Sequence, residues 1–445
     1  MRWDIESLNA ELAAGRTTCA QIVETALERA SDPAGEGRAT FRKQRSDAAR
    51  AQAKAQDMLR DAGAAASPLA GLPVTIKDNI DFAGDVTGGA CKLLEDAKAA
   101  TSHADVVTRL NAAGAVIVGR TNMSELAFSG IGYNKFYGTP ANPFDRATRR
   151  IPGGSSSGAA VSVTDGMAVA AIGTDTGGSV RIPAALCGLC GFKPTQARVS
   201  RDGVLPLSLA LDCVGPLART VADCAIVDSI LSGDATPLPT LPGPFRFRTA
   251  DNFMLADADD PVRTDYGRAI ETLRRAGAHF APLPSGAFAE IEDYIRRGTF
   301  ANAEAWERFG AAIEARPDHI DSRIGERILR GRSITATDWI RNQRDRAAMM
   351  ARFESAIAGF DALIAPTTPI VAPPIADMED DDKFRIANSL ILRNPMVANL
   401  LDAPSLTLPC HAPDEAPVGL MLIGPRLSDL RLLGIGAQIE TTLRT

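Results

Sequence analysis

The sequence predicts an α/β protein, in which strands and helices alternate in packed layers. Short apolar runs bounded by glycine, aspartate or polar residues are typical of buried strands, and three such runs are Val74–Ile76, Ala115–Val118 and Met167–Ile172. Between the first two runs, Asp105–Ala113 carries apolar residues at helical spacing. Because the two patterns alternate along the chain, we expect a sheet with helices packed on it.

The first 65 residues are predicted to form a helical layer. Apolar residues recur at helical spacing from Leu8 to Ala30, and Ala48–Leu59 is rich in the helix formers Ala, Gln and Lys. The strand patterns begin only after Gly71. We therefore expect this layer to pack against the sheet and to contribute no strand to it.

The second half of the chain shows the same alternation after an interruption. Thr236–Pro244 is rich in proline and is typical of a linker or of an excursion away from the sheet. Residues 261–360 carry mainly helical patterns, which favours an inserted helical elaboration. The segments Ala362–Ala365, Ser405–Pro409 and Gly419–Gly424 then predict further strands.

The composition is that of an ordinary globular chain, with 445 residues of which 45% are hydrophobic and 23% charged. The formal net charge of −6 gives no basic field for a phosphate backbone, and the basic cluster Arg146, Arg149 and Arg150 has no interleaved aromatic residues for base stacking. The acidic run Glu379–Asp382 is expected to be a solvated loop, not a metal site. We expect no nucleic-acid partner and, without a run of about 20 apolar residues, no membrane.

The seven cysteines fit free thiols in a reducing compartment, since their number is odd and they are spread thinly. Met1–Leu12 carries charges where a signal peptide requires an apolar stretch. A cytoplasmic location is therefore predicted. The pair Cys187 and Cys190, taken with Cys213 and Cys224, matches no standard zinc spacing, so we predict structural thiols and no metal.

Two stretches rich in glycine and serine are the strongest candidates for a reactive site. They are Pro-Gly-Gly-Ser-Ser-Ser-Gly at 152–158 and Gly-Thr-Asp-Thr-Gly-Gly-Ser-Val-Arg-Ile-Pro at 173–183. Glycines at this density let the backbone approach a substrate closely, and the hydroxyl groups beside them are candidate nucleophiles. The second stretch turns just before Ser179, so its N–H groups are expected to face an anion, as an oxyanion hole requires.

A serine nucleophile requires a base, and the sequence offers a lysine in preference to a histidine. No histidine lies near the two stretches or in a G-x-S-x-G motif; the four are His103, His279, His319 and His411. Lys77 directly follows the apolar run Val74–Ile76. Burial there disfavours the charged amine and lowers its pKa, although a lone lysine at a strand end also commonly reaches out to solvent.

Two other motifs are rejected on their details. Gly114–Thr121 resembles a phosphate-binding loop in outline, but Arg120 stands where that loop requires lysine and the interior is apolar like a strand. A penicillin-type Ser-x-x-Lys site is excluded because Ile182 stands three residues after Ser179 and no Lys-Thr-Gly follows.

Taken together, these segments resemble the amidase signature family. The two stretches at 153–158 and 173–183 match its signature at nearly every position, and Lys77 within Pro-Val-Thr-Ile-Lys-Asp-Asn matches its lysine motif. The resemblance is dense over residues 69–217 and looser outside. Further segments that look like the family's lie at 112–122, 187–195, 365–367 and 417–420.

The resemblance implies a Ser-Ser-Lys catalytic triad. Ser179 would attack an amide carbonyl and form an acyl-enzyme, and Ser155, which matches the family's cis-peptide serine, would pass the proton to neutral Lys77. Ser156 and Ser157 are alternatives for the bridging serine, and the family's spacing favours Ser155. No cofactor is implied.

The resemblance also implies the residues around the triad. The N–H groups of Thr176, Gly177, Gly178 and Ser179 would hold the oxyanion. Ala127 to Ser129 would line the acyl pocket, with Ser129 contacting substrate. Asp175 and Arg181 would pair beneath the loop as structural supports.

The implied fold is a single large α/β domain with a central mixed β-sheet covered by helices. Its parts over residues 1–445 would be the helical layer 1–65, the signature core 69–217, the helix-rich elaboration 261–360 and the C-terminal part of the core 361–445. The implied reaction is hydrolysis of a small linear carboxylic amide to an acid and ammonia or an amine. A homodimer is the default assembly, and the identity of the amide stays open.

Two alternatives to a free-standing amidase remain. The first is the glutaminase subunit of a transfer-RNA-dependent amidotransferase, which resembles this chain in the signature region and works within a complex; the middle of this chain lacks the tyrosine-rich segment associated with that subunit. The second is a binding protein that kept the fold without catalysis, against which the retention of Lys77, Ser155 and Ser179 argues.

Overall fold

Eleven strands in the described part of the chain form one sheet. The structure is a computed structural model that describes residues 2–444 except 250, 251, 285, 287, 289, 292, 293 and 295–298. The strands are β1 (Phe41–Gln44), β2 (Pro73–Lys77), β3 (Val116–Thr121), β4 (Ala170–Asp175), β5 (Cys190–Lys193), β6 (Cys213–Ala218), β7 (Arg246–Thr249), β8 (His279–Pro282), β9 (Ala362–Pro366), β10 (Ser405–Pro409) and β11 (Gly419–Ile423).

The sheet is mixed, with the spatial order β1-β3-β2-β4-β6-β5-β10-β11-β9-β7-β8. Parallel pairs join β2 to β3 and to β4 near one edge, and β7 to β8 and to β9 near the other. The remaining neighbours are antiparallel. The predicted fold class, a single α/β domain with a central mixed sheet covered by helices, is confirmed.

Helices cover the sheet. Their bounds are α1 (Ile5–Ala13), α2 (Cys19–Ser31), α3 (Gly37–Thr40), α4 (Ser46–Asp61), α5 (Asp105–Ala112), α6 (Ser157–Thr164), α7 (Arg181–Leu186), α8 (Val221–Ser232), α9 (Asn252–Leu255), α10 (Asp260–Arg275), α11 (Thr299–Ala315), α12 (Ser322–Leu329), α13 (Ala336–Ile357), α14 (Asp381–Leu400) and α15 (Asp429–Arg444). Short 3₁₀ turns lie at Lys92–Leu94, Glu125–Ala127, Gln196–Arg198, Pro317–His319, Arg330–Ser333 and Ile375–Glu379. None of the described helices combines the length and the apolarity that crossing a membrane requires.

The N-terminal region contains the predicted helices and also one strand that the sequence did not indicate. Thr18 begins α2 with a capping box, accepting a hydrogen bond from the Gln21 N–H. The strand β1 pairs antiparallel with β3 at the edge of the sheet. Its sequence, Phe-Arg-Lys-Gln, has no alternation of apolar residues, because a four-residue edge strand buries little on either face.

The region after residue 244 also departs from the expectation of a purely helical elaboration. The strands β7 and β8 extend the sheet beyond β9, with Phe247 paired to Phe280 and to Ala362. The helix α10 begins with Asp260-Pro261 and packs against β9 and α15. The middle of the chain therefore includes strands of the same sheet, and the proposed boundaries of the helix-rich part stay a prediction.

The acidic run Glu379–Asp382 begins a helix, so the expectation of a solvated loop is wrong. The Asp380 side chain caps α14 by accepting hydrogen bonds from the N–H groups of Asp382 and Lys383, both at 2.9 Å. Carboxylates at this end of a helix are stabilised by its unpaired N–H groups and dipole. The capped helix α14 runs through Pro395 to Leu400 and crosses the candidate site described below.

The parallel pair β2 and β4 positions that site. Every residue of both strands is buried, and Ile76 is registered against Ile172. Lys77 is the last residue of β2, and Asp175 is the last residue of β4. Since parallel strands end at the same edge of a sheet, the lysine motif and the signature stretch meet there.

Candidate active site

Lys77 lies fully buried at the end of β2. Its Nζ is 2.7 Å from Oγ of Ser155, 2.9 Å from Oγ1 of Thr174 and 3.3 Å from the Thr174 carbonyl oxygen. Nδ2 of Asn79 also donates to Oγ1 of Thr174, at 3.0 Å. The amine therefore has three oxygen neighbours and no carboxylate within hydrogen-bond distance among the described residues.

Burial lowers the pKa of Lys77 to about 7. The charges of Asp175 and Asp212 act in the opposite direction, but the loss of hydration outweighs them. The amine is consequently able to change its protonation state near neutral pH.

Ser155 stands in the turn that precedes α6, and the Gly154–Ser155 peptide bond is cis. The backbone is tightly enclosed here, because a Cβ on Gly154 would lie 2.5 Å from the Gly132 nitrogen. The carbonyl of Ser155 accepts a hydrogen bond from the Ser124 N–H at 3.0 Å. Ser155 is thus fixed by its backbone while its hydroxyl faces Lys77.

Ser179 lies in the turn between β4 and α7, beside the Ser155 segment. Its carbonyl accepts a hydrogen bond from the Ser156 N–H at 3.3 Å, and its side chain borders a cavity. The Ser156 and Ser157 hydroxyls face backbone carbonyls, of Thr174 and Asn122 respectively, at 3.5 Å. Of the three neighbouring serines 155 to 157, only Ser155 has its hydroxyl against the lysine.

Asp175 and Arg181 form the predicted buried ion pair beneath the turn. Nε of Arg181 donates to Oδ2 of Asp175 at 3.0 Å, and Nη2 donates to Oδ1 at 2.9 Å. Nδ2 of Asn399, on α14, adds a third donor to Oδ1 at 2.9 Å. Burial by itself would raise the pKa of Asp175, but the Arg181 guanidinium holds it well below its ordinary value.

The same carboxylate determines which N–H groups of the turn are free. The Gly178 N–H donates to Oδ1 of Asp175 at 2.8 Å, so the prediction of Gly178 as an oxyanion donor is wrong. Among the described residues, the N–H groups of Thr176, Gly177 and Ser179 have no acceptor. Gly178 has instead a conformational role, with a φ of +120° and Pro395 so near that an added Cβ would lie 2.5 Å from it.

A narrow cavity, here called the inner cavity, opens beside Ser179. Its volume is about 40 Å³, and Thr176, Gly177 and Ser129 border it with Ser179. The remaining wall is mostly apolar and includes Phe128, Leu207, Leu211, Phe300, Leu392, Met396 and Leu400. Oγ of Ser129 donates to Oδ1 of Asn388 at 3.0 Å, so this predicted substrate contact is tied to α14.

Arg327 stands where the inner cavity meets a wider outer pocket of about 430 Å³. Its Nη1 donates to the Phe128 carbonyl at 3.0 Å, and no acidic side chain among the described residues pairs with it. Burial, followed by the charge of Arg330, lowers the pKa of Arg327 to about 10. The guanidinium stays charged at neutral pH and is available to an anion.

Several residues of the site were not found from the sequence. Thr174 and Asp212 are two of them: Asp212 accepts hydrogen bonds from Oγ1 of Thr176 at 2.5 Å and from the Leu207 N–H at 2.9 Å. Thr174 stands inside the signature stretch, so its closeness to Lys77 was available from strand register. Asp212, Arg327 and Asn399 carry no local pattern, because only the tertiary fold brings them to the turn.

The cysteines do not form part of this site. All seven are buried and free, and Sγ of Cys187 donates to the Pro152 carbonyl at 3.2 Å. Cys190 lies against Glu440, away from Cys187. Within the described residues, no three His, Cys, Asp or Glu side chains come together in a way that would hold a metal ion.

Comparison with known proteins identifies the class. The profile of the Amidase family matches residues 21–433. A 2-amino-5-chloromuconic acid deaminase from Comamonas testosteroni is 34% identical over 406 residues, which cover 89% of this chain and 86% of the relative. One glutamyl-tRNA(Gln) amidotransferase subunit, from Chloroflexus aggregans, is also 34% identical, over 97% of this chain and 94% of its own length.

Solved structures give the same result. A crystal structure described as an amidase has a TM-score of 0.88 at 33% identity, over 98% of this chain and 99% of its own. The peptide amidase of Stenotrophomonas maltophilia has a TM-score of 0.82 at 30% identity, covering 99% and 97%. The corresponding glutamyl-tRNA(Gln) amidotransferase subunit from Thermotoga maritima has a TM-score of 0.70 at 31% identity, covering 84% of each chain.

Fold and relatives together define a hydrolase of amides. The chain belongs to the amidase family, recognised by the amidase signature. The resemblance inferred from residues 69–217 is therefore confirmed and extends over nearly the whole chain.

The buried pair generates a prediction about stability. Asp175→Asn keeps the shape of the side chain but leaves the Arg181 guanidinium buried without a counter-charge, which typically costs about 3–5 kcal/mol. We expect a large fall in the urea midpoint of unfolding, followed by circular dichroism.

Glu271→Gln is the matched control. Glu271 pairs with Arg274 and Arg275 on the exposed surface of α10, and such pairs contribute roughly 0–1 kcal/mol. Equal midpoints for the two variants would contradict a supporting role for the Asp175–Arg181 pair.

Proposed function

We propose that this protein hydrolyses a carboxylic amide through an acyl-serine on Ser179, with Ser155 and Lys77 moving the proton. The observation that carries the proposal is the environment of the Lys77 amine. A neutral amine has two N–H groups and one lone pair, and Thr174 offers two acceptors, its hydroxyl and its carbonyl. With both N–H groups so engaged, the lone pair is directed at the Ser155 hydroxyl 2.7 Å away.

The reaction follows from this arrangement. As Oγ of Ser179 attacks the carbonyl carbon, its proton passes to Oγ of Ser155, whose own proton passes to Nζ of Lys77. The C–N bond then breaks, and the leaving nitrogen takes a proton back through Ser155. Water adds to the acyl-serine by the same relay and releases the acid.

The oxyanion of each tetrahedral intermediate is assigned to the N–H groups of Thr176, Gly177 and Ser179. Support comes from their lack of other acceptors in the described residues and from the fixed turn. The Thr176 side chain is held by Asp212, and Asp175 holds the Gly178 N–H. Donors fixed before the reaction need no reorganisation when the charge develops.

The substrate is assigned to small amides that carry an anionic group. The inner cavity is narrow and mostly apolar, which fits a short acyl chain. Arg327 supplies an unpaired cation at the mouth of this cavity, and a guanidinium in that position binds a carboxylate by two parallel hydrogen bonds. The name of the Comamonas relative, a deaminase of a muconic acid derivative, is consistent with an acidic substrate.

The glutaminase subunit of a transfer-RNA-dependent amidotransferase is the second candidate, and the Chloroflexus relative supports it. The lower TM-score of the Thermotoga protein, with 84% coverage, favours the free-standing amidase. The purified chain distinguishes the two: amide hydrolysis without a partner supports the amidase, whereas ammonia release from glutamine only with partner subunits and charged transfer RNA supports the glutaminase. The cytoplasmic location and the homodimer stay predictions.

The nucleophile is tested by covalent labelling. A fluorophosphonate should phosphonylate the native protein with loss of fluoride, and mass spectrometry of the digest should place the group on Ser179. Ser179→Ala should abolish both labelling and amide hydrolysis, since a positioned nucleophile and its base contribute factors of at least about 10²–10⁴ in rate.

Ser157→Ala is the control for this experiment. Ser157 is buried in the same serine run but faces the Asn122 carbonyl, so its variant should keep labelling and turnover. A native protein that is folded yet unlabelled would support the non-catalytic alternative.

The pH dependence of turnover tests Lys77. Because the neutral amine is the base, kcat/KM should rise as the pH passes through about 7 and level off above it. Butyric acid 4-nitroanilide is a suitable substrate, since neither it nor the released 4-nitroaniline titrates in this range. An acid limb above pH 9, where an ordinary lysine titrates, would contradict the assignment.

The substrate class is tested at Arg327. Arg327→Met should lower kcat/KM for the succinic acid mono-(4-nitroanilide) by about 10- to 100-fold, as expected for a lost hydrogen bond between charged groups. The uncharged butyric acid 4-nitroanilide should be affected by less than about threefold. Arg332→Met, which removes an exposed arginine paired with Glu314, should affect neither substrate. An equal loss on both substrates would contradict recognition of an anion.

A further inference from the structure

Glu125 is a buried carboxyl group that the proposed reaction does not use. Its side chain is 2% exposed. Oε2 accepts a hydrogen bond from the Asp321 N–H at 3.0 Å, while Oε1 has no hydrogen-bonded partner in the part of the chain that the structure describes. A buried polar atom without a partner costs free energy, so its retention calls for an explanation.

Glu125 begins one wall of the inner cavity. It starts the turn Glu125–Ala127, in which Leu126 and Ala127 have φ values of +51° and +61°. The Phe128 N–H donates to the Glu125 carbonyl at 3.1 Å, and Phe128 and Ser129 follow directly as cavity residues. Two successive non-glycine residues in the left-handed region persist only where their surroundings hold them.

The Glu125 side chain reaches the element that carries Arg327. Asp321 caps α12, its side chain accepting from the Arg323 N–H at 3.0 Å. Arg327 lies on that helix and donates back to the Phe128 carbonyl at 3.0 Å. Glu125, Asp321, α12, Arg327 and Phe128 therefore form a closed ring of contacts at the mouth of the cavity.

The charges around Glu125 make this contact costly. Burial raises the pKa of Glu125 to about 7, the Asp321 carboxylate raises it further, and the more distant Lys135 lowers it. The Cys91 thiol lies against the carboxyl group, and Arg323 pairs with Asp321 on the far side. An apolar side chain would avoid the cost of a buried carboxyl, but it would not offer an acceptor to the Asp321 N–H.

We propose that Glu125 is a positioning residue that fixes the distance between the Phe128–Ser129 wall and α12, so that Arg327 meets the anionic group of the substrate. The proposal rests on the proposed function and adds to it a residue outside the triad. What matters in it is the length of the side chain and its acceptor oxygen, not its charge.

Two conservative variants separate length from charge. Glu125→Gln keeps the length and a carbonyl acceptor for the Asp321 N–H, whereas Glu125→Asp keeps the charge and shortens the side chain by one methylene. With succinic acid mono-(4-nitroanilide) at pH 8, Glu125→Gln should retain the wild-type KM. Glu125→Asp should raise KM by about 3- to 10-fold, the factor associated with a weakened hydrogen bond, with kcat within about twofold.

Two further readouts distinguish positioning from a general loss of structure. Both variants should label with the fluorophosphonate at the wild-type rate, and both should keep the acid limb of kcat near pH 7, because Lys77 sets that limb. A raised KM in Glu125→Gln, or an unchanged KM in Glu125→Asp, would overturn the proposal.

Binding keeps this test independent of catalysis. If the wild type neither labels nor hydrolyses, the proposed acyl-serine chemistry fails. The positioning role is then measured by calorimetry with succinate as the anion, which should bind the wild type and Glu125→Gln equally and Glu125→Asp more weakly. Equal affinities in all three proteins, or no binding by any of them, would overturn the role of Glu125.

Discussion

The burial of one amine at the end of β2 is the constraint on which the rest of the site depends. A lysine in this position loses its hydration, and only the oxygen atoms of Ser155 and Thr174 replace the lost water. Thr174 belongs to β4, so this replacement requires β2 and β4 to lie side by side in parallel register. The mixed sheet, with its parallel edge, supplies that register.

A second buried charge system lies next to the amine without neutralising it. Asp175 is the last residue of β4, but its oxygens are directed to Arg181, Asn399 and the Gly178 N–H. The carboxylate thereby shapes the turn before Ser179. It does not form an ion pair with Lys77, which would keep the lysine protonated. One strand end thus separates two tasks: Thr174 faces the lysine, and Asp175 holds the loop.

The parts of this arrangement that are local in sequence could be predicted, and those that depend on packing could not. The strands β2, β3 and β4 follow from apolar runs, and Lys77, Ser155 and Ser179 from two glycine-rich motifs and a lysine after a strand. The edge strand β1 and the strands β7 and β8 carry no alternation, so sequence patterns did not reveal them. Gly178 was misassigned because spacing identifies a turn but does not say which N–H groups face inward. Arg327, Asp212 and Glu125 act through neighbours remote in sequence.

The helix α14 has a consequence for how this protein can change. Leu392, Met396 and Leu400, four residues apart, face the inner cavity along one stripe. Pro395 and Asn399, beside that stripe, hold the turn of Gly178 and the carboxylate of Asp175. One helix therefore carries a row of side chains that meets only the ligand and a row that holds the reactive loop. New substrate preferences are open to evolution, or to a directed library, by exchange along the first row while the second stays constant.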